Sequence, residues 1–235
     1  MGIETDRPLA NWRAPEPPSG AVLSGRFAQL ARLDAQQHAG QLHRANSASD
    51  AIWDYLPYGP FGSSAGYFRW AKDMSERRDP HFYAIKSLET GRFCGVASYL
   101  RIAPEAGSIE VGHINFSPEL QRTPAATEAI FLMMQWAFEA GYRRFEWKCD
   151  ASNMGSRRAA QRFGFSYEGL FRQAAVVKGR NRDTAWFACI DSEWPALKEA
   201  YTAWLSPTNF DAQGRQIESL GGLTRLVRVA SDPGL

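Results

Sequence analysis

The sequence predicts an α/β (α+β) chain with a mixed, mostly antiparallel central sheet flanked by helices. Three observations carry this. Strand-like segments between residues 81 and 109 are joined by the hairpin-type turns LETG and APEAG, which make them antiparallel neighbours. The stretch Ile109 to Ala140, IEVGHINFSPELQRTPAATEAIFLMMQWAFEA, reads as a strand, a polar turn and a long apolar helix. The strand RFEWKC follows, so a β-helix-β unit brings one parallel pair into the sheet.

Taken in order, residues 1–20 are Pro-rich and polar and read as a flexible arm. A domain spans 21–205, and 206–235 is a polar tail whose segment Leu220 to Val229 can pack back on it. Residues 21–33 hold a first strand, and Asp34 caps a short helix through His43 and Arg44. A loop and helix region then mixes Trp53, Tyr55, Tyr58, Phe61 and Tyr67 with Gly59, Pro60 and Gly62. Such aromatics serve either as a binding wall or as core under a loop. Strands follow at 81–88, 92–102 and from Ile109. Pro118 ends the last of these, Thr123 is a good N-cap, and Pro124 sits at the first helical position, where its missing N–H costs nothing. The helix is apolar on most of its circumference, with Glu128, Gln135 and Glu139 as a narrow polar stripe, and Gly141 stops it. Its N-terminus is a ready anion site. After the strand 144–149 comes a short helix closed by Gly164. Two more strands are joined by the turn KGRNRD, the second running 184–190, and Asp191 or Ser192 caps a last helix in SEWPALKEAYTAWL.

The bulk numbers bound the function class. A chain of 235 residues with 44% hydrophobic residues and eight Trp fills one large core or two small ones. The net charge of +2 excludes a strong global field. There is no apolar run of membrane-spanning length and no signal-type apolar core at the N-terminus, so a cytoplasmic protein is expected. Cys94, Cys149 and Cys189 are far apart in strand-like sequence and read as reduced, buried thiols. His38, His43 and His81 show no ligand spacing with Cys or acids, so no metal is expected.

The segment DASNMGSRRAAQRFGFSYEG resembles the GNAT N-acetyltransferases, in the RimJ/RimL-like branch typified by ribosomal-protein N-terminal acetyltransferases. The matching positions are Asn153, Ser156, Ala160, Gly164, Phe165, Glu168 and Gly169. The likeness covers roughly residues 21–205. It implies a sheet splayed into a V at its parallel pair, with acetyl-CoA as cosubstrate in the gap. The family's pyrophosphate loop reads Gln/Arg-x-x-Gly-x-Gly/Ala; here it is Gln121-Arg122-Thr123-Pro124-Ala125-Ala126, with Pro124 in place of a Gly N–H. The cradle would then use Gln121 and the backbone of Arg122, Thr123, Ala125, Ala126 and Thr127, with the Arg122 side chain on a phosphate. Asn153 would hold the pantetheine arm, and Phe116 would line the open strand edge against it.

Direct acetyl transfer needs a base for the amine and a proton source for the departing thiolate. The resemblance makes Glu168 the base and Ser156 the hydroxyl. Read from the residues alone, Glu168 can equally be a strand-start turn residue and Ser156 a helix-start residue facing solvent. His113, on the strand flanking the gap, is a second base candidate. Glu110 is an alternative acting through a water, if its side chain faces the gap. Asp50 and Asp54 could attract a cationic amine. The acceptor is a primary amine, on a small molecule or a protein N-terminus, its wall built from the Trp53–Phe61 region and the KGRNRD turn. Two other classes compete. One is a non-catalytic CoA-binding sensor module. The other is an RNA-binding domain using the basic span from Arg143 to Arg182, although no RNA motif with the required aromatics is present. A homodimer through strand or hairpin contacts fits the sequence without being compelled by it.

Overall fold

The computed structural model describes residues 8–235; residues 1–7 of the expected arm lie outside the described residues. Its strands are β1 (Leu23–Ser24), β2 (Ala28–Arg32), β3 (His81–Ser87), β4 (Phe93–Ala103), β5 (Ser108–Phe116), β6 (Arg144–Asp150), β7 (Ser166–Val177) and β8 (Arg180–Ile190). They form one sheet in the order β1-β2-β3-β4-β5-β6-β8-β7. Every neighbouring pair is antiparallel except β5–β6. The helices are α1 (Ala35–Asn46), α2 (Ser64–Glu76), α3 (Pro124–Glu139), α4 (Met154–Arg162), α5 (Trp194–Leu205) and α6 (Leu220–Thr224).

The alternation of the central strands sorts these helices onto two faces. Tyr83, Ile85, Ala97 and Tyr99 belong to the larger core, with α3, α4 and α5. Phe82, Ala84 and Val96 belong to a smaller core with α1 and α2. Asp34 caps α1 through Gln37 N–H (2.8 Å), as its position before an apolar-periodic segment predicts. No described helix is long and apolar enough to cross a membrane. The Pro-rich segment lies on the domain: Pro15 is buried, and the Tyr142 hydroxyl donates to the Glu16 carbonyl (3.4 Å). The tail packs on α4, with Thr224 donating to the Arg162 carbonyl (3.0 Å) and Asp232 paired with Arg157.

Three local expectations need correction. Glu128 is no part of a solvent-facing stripe. It is buried and accepts hydrogen bonds from the backbone N–H groups of Arg26 (2.8 Å), Phe27 (2.5 Å) and Ala28 (2.7 Å). A short turn between two edge strands cannot pair these amides itself, so a carboxylate on the central helix does it. Gly25 is required beside it, since a Cβ there would sit 2.3 Å from the Glu128 carboxyl carbon. Gln135 is half-buried and Glu139 exposed, and the Gln135 amide donates to Glu139 at 2.9 Å. Second, β8 begins at Arg180 rather than Thr184. Val177 pairs with Arg180 across Lys178 (φ +50°) and Gly179 (φ +75°), a two-residue turn with both residues left-handed, which matches strand twist. Third, Asp191 and Ser192 do not cap α5. Asp191 accepts from Ser192 N–H within the turn, and the N-cap is Glu193, whose side chain makes no cap bond and accepts instead from Ile190 N–H (3.0 Å).

Removing the Glu128 carboxylate orphans three amides at once. Glu128→Ala is expected to lower unfolding stability by about 2–4 kcal/mol in urea denaturation. A loss below about 0.5 kcal/mol would show that the anchor is not stabilising.

Candidate active site

The site is built by a parting of two strands. β5 and β6 pair only over residues 108–111 and 144–147. Beyond Val111 and Trp147, β6 continues with β8 to Asp150 and β5 continues with β4 to Phe116. The turning point is Gly112–His113. His113 has φ +50°, and the β4–β5 register shifts there. A non-Gly residue in this region needs support from its surroundings. The imidazole finds it between the Tyr58 ring (5.6 Å, stacked) and the Phe82 ring (5.2 Å). The facing strand edges then carry main-chain groups without a ladder partner across the slot.

At the far end of β5 a tight loop leads into α3. Leu120 and Gln121 N–H bond the Ser117 carbonyl (2.9 and 3.0 Å), and Thr123 N–H bonds Leu120 (3.3 Å). Arg122 stands at φ +62° with an exposed side chain. Thr123 caps α3 by accepting from Ala126 N–H (3.2 Å), as expected, and its carbonyl takes Thr127 N–H (3.4 Å). Of the five amides the cradle was expected to use, those of Thr123, Ala126 and Thr127 are committed within the chain. Arg122 and Ala125 keep theirs free, at the positive end of the α3 dipole. Gln121 turns back to donate to the Phe116 carbonyl (2.9 Å), which ties it to the last residue of β5.

On the α3 side of the sheet, β6 presents Phe145, Trp147 and Cys149. Asn153 caps α4 through Ser156 N–H (2.9 Å), and the Ser156 hydroxyl accepts from Trp147 Nε1 (3.0 Å). The indole therefore fixes the oxygen and leaves its proton free to be donated. Burial pushes the neighbouring Cys149 thiol up to about 11, so it stays protonated at neutral pH.

The opposite face of the sheet carries a ladder of alternating charge. Arg101 on β4 pairs with Glu110 on β5 (2.7 Å), and Lys148 on β6 joins Glu110 (2.9 Å) to Glu146 (2.6 Å). Arg144 joins Glu146 (2.6 Å) to Glu168 on β7, taking both Glu168 oxygens at 2.7 and 2.5 Å. The Lys148 ammonium also lies 3.6 Å from the Trp186 ring centroid. Burial raises Glu110 from its ordinary value, and the charges of Lys148 and Arg101 oppose that without cancelling it. Burial acts the same way on Glu146, but hydrogen bonds from Lys148 and Arg144 outweigh it and leave Glu146 low. Burial, with the fields of Arg101 and Arg182 added, lowers His113 to about 4, so its imidazole is neutral at pH 7.

The sequence-derived candidates thus separate. Phe116, Gln121, Arg122, Thr123 and Ala125 to Thr127 gather at the α3 end of the slot. Asn153 and Ser156 lie on its α4 side. Glu110 adjoins Val111, where the strands part, and faces the side opposite Ser156. Glu168 shares Glu110's face but sits on β7, separated from β6 by β8. Sequence reasoning missed Lys148, Arg101 and Trp147. A signal existed for the first: Arg144, Glu146, Lys148 and Asp150 form a period-2 charged stripe on a strand expected mid-sheet. The aromatic region divides as well. Trp53, Phe61 and Tyr67 pack into the smaller core, while Asp54 and Tyr55 face a cleft of about 670 Å³ opposite the β7–β8 hairpin.

Comparison with known proteins agrees with this geometry. The family model described as an acetyltransferase (GNAT) domain matches residues 29–166. No curated protein matches the sequence. The crystal structure of a GCN5-related N-acetyltransferase from Brucella melitensis is 45% identical, covers 92% of this chain and all of its own, and superposes with a TM-score of 0.90. A GNAT-family structure from Chromobacterium violaceum is 42% identical over 83% of this chain and 100% of its own, with a TM-score of 0.78. RimL, a ribosomal L7/L12 alpha-N-protein acetyltransferase, shares the fold at 21% identity, over 75% of this chain and 99% of its own, with a TM-score of 0.62. Acetyl-CoA is the cosubstrate of this enzyme class. The parted strand pair, the free amides before α3, the family match and the two close structures lead to one conclusion: this chain belongs to the GNAT acetyltransferase family.

Proposed function

We propose that this protein is an N-acetyltransferase that moves the acetyl group of acetyl-CoA to a primary amine by direct attack. The observation that carries the reading is the slot between β5 and β6, flanked by Glu110 on one face and the Ser156 hydroxyl on the other. The residues present suit the cosubstrate. The free Arg122 and Ala125 amides at a helix N-terminus suit a pyrophosphate, with Gln121, Thr123, Ala126 and Thr127 shaping the loop that presents them. The open edge of β5 up to Phe116 and the Asn153 side chain suit the amide groups of a pantetheine arm. Acetyl-CoA supplies an acetyl group activated as a thioester.

The chain's own part is proton management. The attacking amine must shed one proton, and one proton must reach the leaving sulfur. Glu110 is the base in this reading. It adjoins the parting point and is buried, and its raised pKa brings it nearer to an amine's needs. Glu168 is two strands away, with both oxygens on Arg144, and acts in this reading by holding the far end of the ladder. His113, lowered to about 4, is unprotonated but weakly basic, and serves to shape the slot. Ser156 donates its hydroxyl proton to the leaving sulfur and recovers one from solvent, while the amine's proton leaves through Glu110. A covalent acetyl-enzyme is disfavoured because Cys149 is a buried thiol raised to about 11. The order Asn153, Ser156, Glu168 supports the RimJ/RimL-like branch. The RNA-binding alternative is weakened, since Arg144, Lys148 and Arg157 of the basic span pair with carboxylates of the chain.

Two outcomes test this. Only ionised Glu110 takes a proton, so kcat/KM is expected to fall as pH drops through the raised pKa of Glu110. Glu110→Gln is expected to remove that limb and lower kcat by about 100-fold or more, with acetyl-CoA binding retained; an unchanged kcat would remove Glu110 from the mechanism. Ser156→Ala is expected to lower kcat by about 10- to 100-fold, with a smaller effect on the KM for the amine. A change in KM alone would make Ser156 a binding group.

A further inference from the structure

The cleft opposite the β7–β8 hairpin has unspent positive charge. Arg182 on β8 is half-buried, and its Nε is buried without a hydrogen-bond partner. Among the described residues no carboxylate lies within ion-pair reach of its guanidinium. Three other charges of the cleft are held within the chain, while Arg180 and Asp54 are exposed at its edge. Asp150 accepts from Ser152 N–H (2.8 Å) and its hydroxyl (2.7 Å). Asp183 accepts from Gln173 N–H (2.7 Å) and the Asn181 amide (3.0 Å). Lys178 donates to the Trp53 carbonyl (2.9 Å). A buried guanidinium atom without a partner is costly, and an anion supplied from outside removes the cost.

Arg182 also lies close to the slot. Its charge is felt at His113 on β5 and at Cys149 on β6, the strands on either side of the parting. It has the same strand parity as Trp186, so it shares the face of Lys148 and Glu110 rather than that of Ser156. That separates it from the α3 end, where phosphates of the cosubstrate would sit. The cleft is also bounded. Lys178 bridges the hairpin to Trp53, and the Tyr55 hydroxyl reaches the Ser152 carbonyl (3.4 Å), so both cross it. A solvent-open cleft of about 670 Å³ crossed by such contacts has the size of a small-molecule site.

We propose that the acceptor is a small amine that carries a carboxylate near its amino group, an α-amino acid or close analogue, and that Arg182 binds that carboxylate. Asp54, at the rim of the cleft and without a partner of its own, complements the ammonium end of such a zwitterion as it enters. This rests on the acetyl-transfer reading above, and the binding arm of its test does not.

The test uses the full chain, the twenty α-amino acids, their α-carboxamides and a tetrapeptide set with free N-termini. Acetyl transfer is measured with acetyl-CoA, and equilibrium binding of the same compounds is measured by calorimetry without it. At least one amino acid is expected to exceed its carboxamide by about 10- to 100-fold in kcat/KM, and in affinity, with peptides weaker still. Arg182→Met is expected to collapse the acid-to-amide ratio toward one, mainly through KM, and Arg182→Lys to restore part of it. If no amine is acetylated but the acid preference persists in binding and vanishes in Arg182→Met, the transfer reading fails and the carboxylate site stands. Equal handling of acid and amide, a preference for peptides, no binding of any amino acid, or an acid-to-amide ratio untouched by Arg182→Met would each overturn the proposal.

Discussion

The structure depends on one interrupted strand pairing. β5 and β6 hold together through four residue pairs and then separate, because β5 turns at Gly112–His113 toward β4 while β6 is held straight by β8. A sheet interior normally leaves no room for a ligand, since every main-chain group is already paired. Here the same strands that build the core supply a slot with polar edges. Its two faces inherit different chemistry from simple alternation along β6. Phe145, Trp147 and Cys149 point into the α3 core, and Arg144, Glu146 and Lys148 point away from it. A hydroxyl and a carboxylate on opposite sides of one opening follow from that alternation and the parting together.

The charged face is held by compensation. Arg101, Lys148 and Arg144 alternate with Glu110, Glu146 and Glu168, so the ladder is neutral as a whole. Removing water from these groups is costly, and their mutual attraction recovers the cost only while each has a partner. The arrangement gives the two carboxylates nearest the parting different characters: Glu146 is held low between two cations, while burial keeps Glu110 raised. Unequal environments for neighbouring acids are how one site keeps a base available without ionising everything alike. Arg182 stands outside this compensation, with no carboxylate partner among the described residues.

Much of this was legible in the sequence, for identifiable reasons. Pro118, Thr123, Pro124 and Gly141 marked the ends of the central strand and helix through capping and ring sterics that act within a few residues. The turns LETG and APEAG fixed antiparallel neighbours, and the β-helix-β unit fixed the parallel pair. What stayed hidden depends on residues far apart in the chain. Glu128 looked like a surface acid because its three amide donors lie about a hundred positions earlier. The pairing of Arg144 with Glu168 spans the intervening strand β8 and leaves no mark at either position. The turn in KGRNRD was placed but drawn too long, because the polar run resembles a loop, although strand pairing extends through most of it from Arg180. The Asn153 and Ser156 motif was visible as a pattern, and the indole that fixes its hydroxyl was visible only in the fold.

The most direct test of the central claim, that the β5–β6 opening is an acetyl-CoA slot, is thermal unfolding with acetyl-CoA against ATP as a polyanion control. At 100 times its dissociation constant, acetyl-CoA is expected to add about 2.7 kcal/mol of apparent stability, with no comparable gain from ATP. No stabilisation at millimolar acetyl-CoA, or equal stabilisation by ATP, would contradict the account.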